Sequence, residues 1–282
     1  MKEEVIQRID QLIHQRPMYR EALSVYRELL GFADEGKPGI TYKPADASVR
    51  EIKAREGFPL FSRGSLPIDH EHAAALFQHL LEHLSSTERN DRAALSKAAK
   101  RAQVDRDWVK KVIGAVLSGD EAKAAELTQD ADLSPTVATF ISRMALQPSL
   151  RSLRQSAAEE IQGGTWNYGY CPLCGSFPDI AYFSDEGRRF LHCELCGQVW
   201  NYQRIKCPFC GEQRADELGY FTSEEEEGYR VDFCRKCKHY IKTVDMRLIK
   251  NPAPLEAENL ITLYLDLLAH NQGFMAPGDK HT

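Results

Sequence analysis

All eight cysteines of this chain lie between Cys171 and Cys237, and each belongs to a Cys-x-x-Cys pair: Cys171/Cys174, Cys193/Cys196, Cys207/Cys210 and Cys234/Cys237. A turn of this spacing aims two thiolates at one point, so two turns complete a tetrahedral four-sulfur set around an ion. In a reducing compartment, paired thiols of this kind read as metal ligands before they read as disulfides. A chain with this feature must fold its cysteine stretch around one or two small centres.

The stretch is internally duplicated. Cys171-Pro-Leu-Cys-Gly and Cys207-Pro-Phe-Cys-Gly are near copies, and each is followed by a pair lacking the proline, Cys193-Glu-Leu-Cys and Cys234-Arg-Lys-Cys. The first unit has 18 residues between its pairs and the second 23, with the acidic run from Ser223 to Gly228 accounting for the extra length as a solvated hairpin tip. The expected sets are therefore Cys171, Cys174, Cys193 and Cys196 at one ion and Cys207, Cys210, Cys234 and Cys237 at the other. A crossed arrangement would combine the two proline-containing turns. Gly175, Gly197 and Gly211 follow three of the pairs and can take positive φ; Lys238 stands at the fourth such position, which predicts a different geometry there.

Four thiolates suit zinc and a rubredoxin-like single iron alike, so the donor set leaves two metal ions of either kind. A closed four-thiolate site leaves no coordination position for a substrate, which argues against metal-assisted hydrolysis. No phosphate-binding loop, dinucleotide fingerprint, nucleophile elbow or His-Glu-x-x-His occurs, so the reading is a protein without catalytic residues.

The rest of the chain is patterned differently. Residues 1–164 carry apolar residues every three or four positions, as in the stripe Val5, Ile6, Ile9, Leu12 and Ile13, and read as an all-helical domain. Asp69 and Asp105 are placed to cap helices, Ser134-Pro135 to start one, and Pro148 to open the last segment before a boundary at Gly163-Gly164. Residues 165–250 read as a β-rich double metal-ribbon domain, and 251–282 as a helix with Leu260, Leu263, Tyr264, Leu267 and Leu268 on one side, followed by a short tail. The expected class is α+β: a helical bundle, two tandem rubredoxin-like or zinc-ribbon modules and a C-terminal helix.

Charge narrows the partners. The chain has 36 Lys plus Arg against 41 Asp plus Glu, and the cysteine domain is balanced even before its thiolates are counted, which disfavours nucleic acid. The basic set Arg235, Lys236, Lys238, His239 and Lys242 reads as solvated surface or a protein contact. His72, His79 and His83 share a helix side without an acidic or cysteine partner, and read as a solvated edge. Without an apolar signal core near the start or a long apolar run, the expectation is a cytoplasmic protein that is not inserted in a membrane. Self-association is compatible with this composition.

The order of residues around the pairs carries a further signal. Tyr170-Cys-Pro-Leu-Cys-Gly-Ser-Phe-Pro, Leu191-His-Cys-Glu-Leu-Cys-Gly-Gln-Val-Trp, Arg204-Ile-Lys-Cys-Pro-Phe-Cys-Gly and Cys234-Arg-Lys-Cys-Lys-His-Tyr-Ile-Lys together resemble the FdhE-type formate dehydrogenase accessory proteins, as does the closing helix with Leu265-Asp266 and Gly273-Phe274. The resemblance is specific from 166 to about 275 and loose over the bundle. It implies an accessory factor that binds the catalytic subunit of a molybdenum- or tungsten-pterin formate dehydrogenase during maturation, and it strengthens iron against zinc. The alternatives from other classes are a zinc-ribbon nucleic-acid binder and a rubredoxin-like electron carrier.

Overall fold

The computed structural model describes residues 2–32, 38–44, 46–86, 90–162, 166–222, 226–249 and 252–276. The chain divides into two compact units, neither continuous in sequence: Glu28–Ala45 with Phe61–Glu160, and Met1–Arg27 and Asp46–Leu60 with Ile161–Thr282. Gly163-Gly164 lies outside the described residues.

The helices in chain order are α1 (Lys2–Gln15), α2 (Arg20–Phe32), α3 (Ala47–Arg55), α4 (His70–Ser86), α5 (Arg92–Val104), α6 (Arg106–Ser118), α7 (Glu121–Gln129), α8 (Pro135–Ser156) and α9 (Ala158–Gln162). In the helical unit, α4 to α8 bury one apolar face each. Phe77 of α4 meets Trp108 of α6 edge-on, with centroids 6.3 Å apart. The Trp108 indole N–H donates to the Leu127 carbonyl at 2.7 Å, so the ring is buried without leaving its polar atom unpaired. Asp69 accepts from the His72 N–H at 2.9 Å and Asp105 from the Trp108 N–H at 2.9 Å, which are the two expected caps.

Pro148 does not open a helix; it sits inside α8. Its ring removes one hydrogen bond to the carbonyl four residues back, yet Ala145, Leu146, Ser149, Leu150 and Leu153 around it are all buried. Packing on both sides of the proline keeps the helix running.

The second unit is built on one sheet of six strands, β1 (Pro178–Phe183), β2 (Arg189–Cys193), β3 (Val199–Tyr202), β4 (Leu218–Thr222), β5 (Tyr229–Cys234) and β6 (Tyr240–Asp245), in the order β3-β2-β1-β6-β5-β4. Each duplicated module supplies a three-stranded antiparallel meander. The first strand of module one pairs in parallel with the last strand of module two, from Ile180 opposite Lys242 to Phe183 opposite Asp245. Ile180, Phe183, Leu191, Val231, Ile241 and Val244 are buried, so both faces of this joint sheet are covered.

Segment 46–60 is fastened to the first module by backbone and tyrosine hydrogen bonds: Leu60 N–H to the Pro172 carbonyl at 2.8 Å, and the Tyr170 hydroxyl to the Gly57 carbonyl at 2.6 Å. Gly57 has φ +79°, and a Cβ there would come within 2.7 Å of the Tyr168 ring. At the chain's end, the expected single helix is two, α10 (Leu255–Ile261) and α11 (Leu263–Asn271), interrupted at Thr262, whose hydroxyl turns back to the Glu258 carbonyl at 2.7 Å. Ser223, Glu224 and Glu225 lie outside the described residues, but Glu226 is no solvated tip. It pairs with Arg16 and accepts from the Tyr264 hydroxyl at 2.6 Å, because a half-buried carboxylate needs both partners.

Candidate metal centres

Each cysteine pair sits in the same turn. The N–H of the residue after the second cysteine donates to the carbonyl of the first, from Gly175 to Cys171 (2.9 Å), Gly197 to Cys193 (3.0 Å), Gly211 to Cys207 (3.0 Å) and Lys238 to Cys234 (2.9 Å). The N–H of the first cysteine is in turn taken by the carbonyl five residues on, at 2.8 to 3.0 Å in all four turns. The turn requires a left-handed residue at its end, and φ is +75°, +67°, +74° and +61° at these four positions. Lys238 therefore does not change the fourth turn; the hydrogen-bonding pattern imposes the glycine conformation on a lysine.

The turns bring the sulfurs together as two sets in chain order. Cys171, Cys174, Cys193 and Cys196 form one and Cys207, Cys210, Cys234 and Cys237 the other, the four Sγ atoms of each lying within 4.8 Å of one another. In the first set Cys171 is 3.6 Å from Cys196, and Cys174 is 3.5 Å from Cys193 and 3.6 Å from Cys196. In the second, Cys207 is 3.6 Å from Cys237 and Cys210 is 3.7 Å from Cys234. A metal–sulfur bond of about 2.3 Å places the corners of a tetrahedron about 3.8 Å apart, so both sets fit one ion with little adjustment.

The thiols are poorly placed to ionise without a cation. Burial raises Cys171 and Cys193 well above the ordinary thiol range, while hydrogen bonds from Cys171, Cys193 and Cys196 draw Cys174 well below it. In the second set, the Cys237 thiol and burial raise Cys207, and burial pushes Cys234 up to about 11. Burial thus opposes ionisation of Cys171, Cys193, Cys207 and Cys234, which is the situation a bound cation reverses.

The two sets differ in access. All four cysteines of the first are fully buried, whereas Cys210 of the second is exposed and Cys237 half-buried. Behind the first set runs a line of charged groups that sequence reasoning missed. The buried His192, next to Cys193, has Nδ1 2.8 Å from Asp179 and Nε2 3.5 Å from Glu256. Burial opposes the charge of this imidazole, but the two carboxylates outweigh it and its pKa is pushed up to about 10. Asp179 reaches the ring because the β1–β2 register slips between Pro178 and Ile180, a bulge that re-aims one side chain. Asn259 donates to the other Asp179 oxygen at 3.2 Å, and the buried Lys242 binds the Asn259 carbonyl and Asp266. The available signal was the polar pair Asp179 and His192 in strands that are otherwise apolar apart from Arg189.

Lys242 consequently leaves the expected basic surface set. Of the others, Lys236 pairs with Glu212 at 2.9 Å and Arg235 lies over the Phe233 ring. His83 has its Nε2 3.1 Å from Glu28, and among the described residues only the two cysteine sets group as metal-holding clusters. Trp166, Tyr168 and Tyr170 pack in tilted and edge-on contacts beside the first set, and Trp200 Nε1 donates to the Tyr168 carbonyl at 3.2 Å.

Comparison with known proteins divides the chain at the same place as the sulfurs. Residues 170–204, with the first set and β1 to β3, match the family model described as FdhE, central domain. Residues 205–280, with the second set, β4 to β6, α10 and α11, match FdhE, C-terminal domain. Over residues 170–280 the chain is thus similar to FdhE proteins. An FdhE homolog of Aquifex aeolicus is 38% identical over 134 residues, 46% of each chain. One of Shewanella oneidensis is 36% identical over 110 residues, 38% of this chain and 35% of that protein, and one of Haemophilus ducreyi is 30% identical over 172 residues, 56% and 55% of the two. The matched parts thus span about a third to just over half of these relatives. The crystal structure of the FdhE protein from Pseudomonas aeruginosa superposes with a TM-score of 0.71 over 98% of this chain and 93% of that one; at 24% identity the likeness is one of fold, with a helical N-terminal region and two four-cysteine modules. No helix among the described residues is long and apolar enough to cross a membrane.

Proposed function

We propose that the protein is an accessory factor in the maturation of a molybdenum- or tungsten-pterin formate dehydrogenase, and that it works in the cytoplasm by binding the enzyme's catalytic subunit. The observation that carries this reading is the division of two complete four-sulfur sets between the FdhE central and C-terminal domains. In this reading Cys171, Cys174, Cys193 and Cys196 hold one ion and Cys207, Cys210, Cys234 and Cys237 a second, iron or zinc. The ions supply a rigid double-ribbon scaffold and, if iron, a one-electron centre. The protein has no catalytic step of its own, and residues 1–164, 165–250 and 251–282 act as helical, metal-binding and closing segments.

The test is a clean gene deletion in a formate-grown cell. Formate dehydrogenase activity is expected to fall while the transcript of the catalytic subunit persists, and the tagged protein is expected to recover that subunit on purification. Normal activity in the deletion, with no second gene copy, would remove the reading. Complementation with folded cysteine variants separates a scaffold role, in which activity returns, from a redox or metal-dependent role, in which it does not.

A further inference from the structure

The third cysteine turn, Cys207-Pro-Phe-Cys210, belongs to the second module but is held from the first. Arg189 of β2 and Tyr202 of β3 stand directly opposite each other in the first module's meander, so their side chains lie side by side on one face. Both are buried, each 4% exposed. Their polar ends take two successive carbonyls at the start of the turn: the Arg189 Nη1 donates to that of Lys206 at 3.0 Å, and the Tyr202 hydroxyl to that of Cys207 at 3.0 Å. The Cys207 carbonyl also accepts the Gly211 N–H at 3.0 Å, the bond that closes the turn. Lys206 answers in the opposite direction, its ammonium donating to the Asn167 carbonyl at 3.0 Å while lying 5.4 Å from the centre of the Tyr202 ring.

This grip falls on a buried ligand of an otherwise open set. Cys207 is buried, whereas Cys210 is exposed and Cys237 half-buried, so the second set has one ligand anchored from the first module and others that face solvent. A turn whose carbonyls are fixed from outside loses less freedom when it takes an ion, and contacts behind metal ligands are typically worth about 10–100-fold in metal affinity. Charge acts in the same sense. Arg189 only shares its carboxylate: Asp232 lies 3.6 Å from its guanidinium but 2.9 Å from that of Arg230, and accepts the Thr243 hydroxyl at 2.7 Å. The electrostatic neighbours of Arg189 also include Cys207, and four thiolates around a divalent ion leave a net negative charge for it to offset.

We propose that Arg189 and Tyr202 are positioning residues for the second metal ion: a cross-strand clamp in the first module holds the Cys207 turn ready to bind, so that part of the second ion's affinity resides in the first module's sheet. The inference rests on the reading that each sulfur set holds one ion, and concerns how the second set is made competent. On this account the second ribbon is not an autonomous unit. Its ion is captured once the first module's sheet has formed, and is released from the Cys210 side while Cys207 stays clamped. The rival account is that the two residues only fill a buried junction, in which case their loss loosens both sulfur sets alike.

The test is titration of the full metal-free chain with cobalt(II) against a competing chelator. Thiolate-to-cobalt absorption reports binding, and protection of Cys174 and Cys210 from alkylation assigns each ion to its set. Tyr202→Phe keeps the buried ring and deletes only the hydroxyl; it is expected to weaken the second ion about fivefold, the worth of one neutral hydrogen bond, and to leave the first within about twofold. Arg189→Gln removes a charge as well and is expected to weaken the second ion more than about tenfold, with the same sparing of the first. Tyr182→Phe makes the same deletion on β1 of that module, at a hydroxyl without a hydrogen-bond partner among the described residues, and should change neither affinity. If Arg189→Gln fails to fold, Tyr202→Phe decides alone. The clamp is overturned by an unchanged second affinity in Tyr202→Phe, by an equal loss at both sets, or by an equal effect of Tyr182→Phe. A parent chain that binds one ion only overturns the reading of two filled sets and the clamp with it, whereas two ions in the parent with insensitive variants overturns the clamp alone.

Discussion

Gly169 stands just before the first cysteine turn and against the second module's first turn, where a Cβ would fall 1.8 Å from the Pro208 carbonyl oxygen and 2.5 Å from its carbon. Real Cβ contacts essentially never come closer than 3.0 Å, so Gly169→Ala requires a movement of at least 1.2 Å between two stretches of backbone. Pro208 lies inside Cys207-Pro-Phe-Cys210, so the displaced atoms are those that aim two sulfurs. Overpacking a side chain into a tight interior costs about 1–3 kcal/mol, and a backbone-on-backbone clash belongs at or above the top of that range. We expect Gly169→Ala to lower stability by about 3 kcal/mol and to empty the second cysteine set in preference to the first. In a cobalt-loaded sample, thiolate-to-metal absorption followed through thermal unfolding reports both effects, with elemental analysis giving ions per chain. Gly64→Ala, whose Cβ meets nothing within 4 Å, serves as the control and should stay within about 0.5 kcal/mol. A Gly169→Ala protein with two ions per chain and an unchanged unfolding midpoint would refute the packing argument.

Lys238→Gly should stabilise the protein by about 0.5–1 kcal/mol, since relief of a left-handed lysine, about 1–2 kcal/mol, outweighs the extra freedom glycine gains on unfolding; a lower unfolding midpoint would show that the lysine side chain contributes there. A chelator added to the loaded protein should remove one ion fast and one slowly, and alkylation during the fast phase should label Cys210 first, because that thiol is exposed while the first set is buried; a single phase would contradict the asymmetry. Burial raises the pKa of Glu258 against the opposing hydrogen bonds from Ala253 and Tyr229. Its contribution is therefore full below the unfolded carboxylate value and is lost as pH rises through the raised native one, so Glu258→Gln should flatten the melting temperature between pH 4.5 and 8 and match or exceed the parent at the upper end. A variant less stable than the parent at pH 8 would reverse that sign.

The sulfur sets were legible in the sequence because ligand spacing and duplication are local properties, and the caps at Asp69 and Asp105 for the same reason. The joint sheet was not, since β1 finds β6 across some sixty residues and nothing in Asp179-Ile-Ala-Tyr-Phe names its parallel neighbour. Lys238 misled because residue identity suggested a changed turn, when the hydrogen bonds of the turn decide its φ. Pro148 misled in the opposite sense: its local preference for a helix start lost to burial on either side. The His192 line depends on a bulge and on strand neighbours, so its charges meet only in three dimensions.

The parallel pairing of β1 with β6 also orders events during synthesis. The first module's cysteines, Cys171 to Cys196, leave the ribosome well before Tyr240–Asp245, so a completed first sulfur set would for a time present β1 as an open strand edge. Closure waits for the last strand of the second module, and any delay in filling the second set prolongs the interval in which β1 can find a strand from another chain. Metal supply during growth is thereby expected to affect the yield of correctly paired chains, through the second site's timing more than through the first site's affinity.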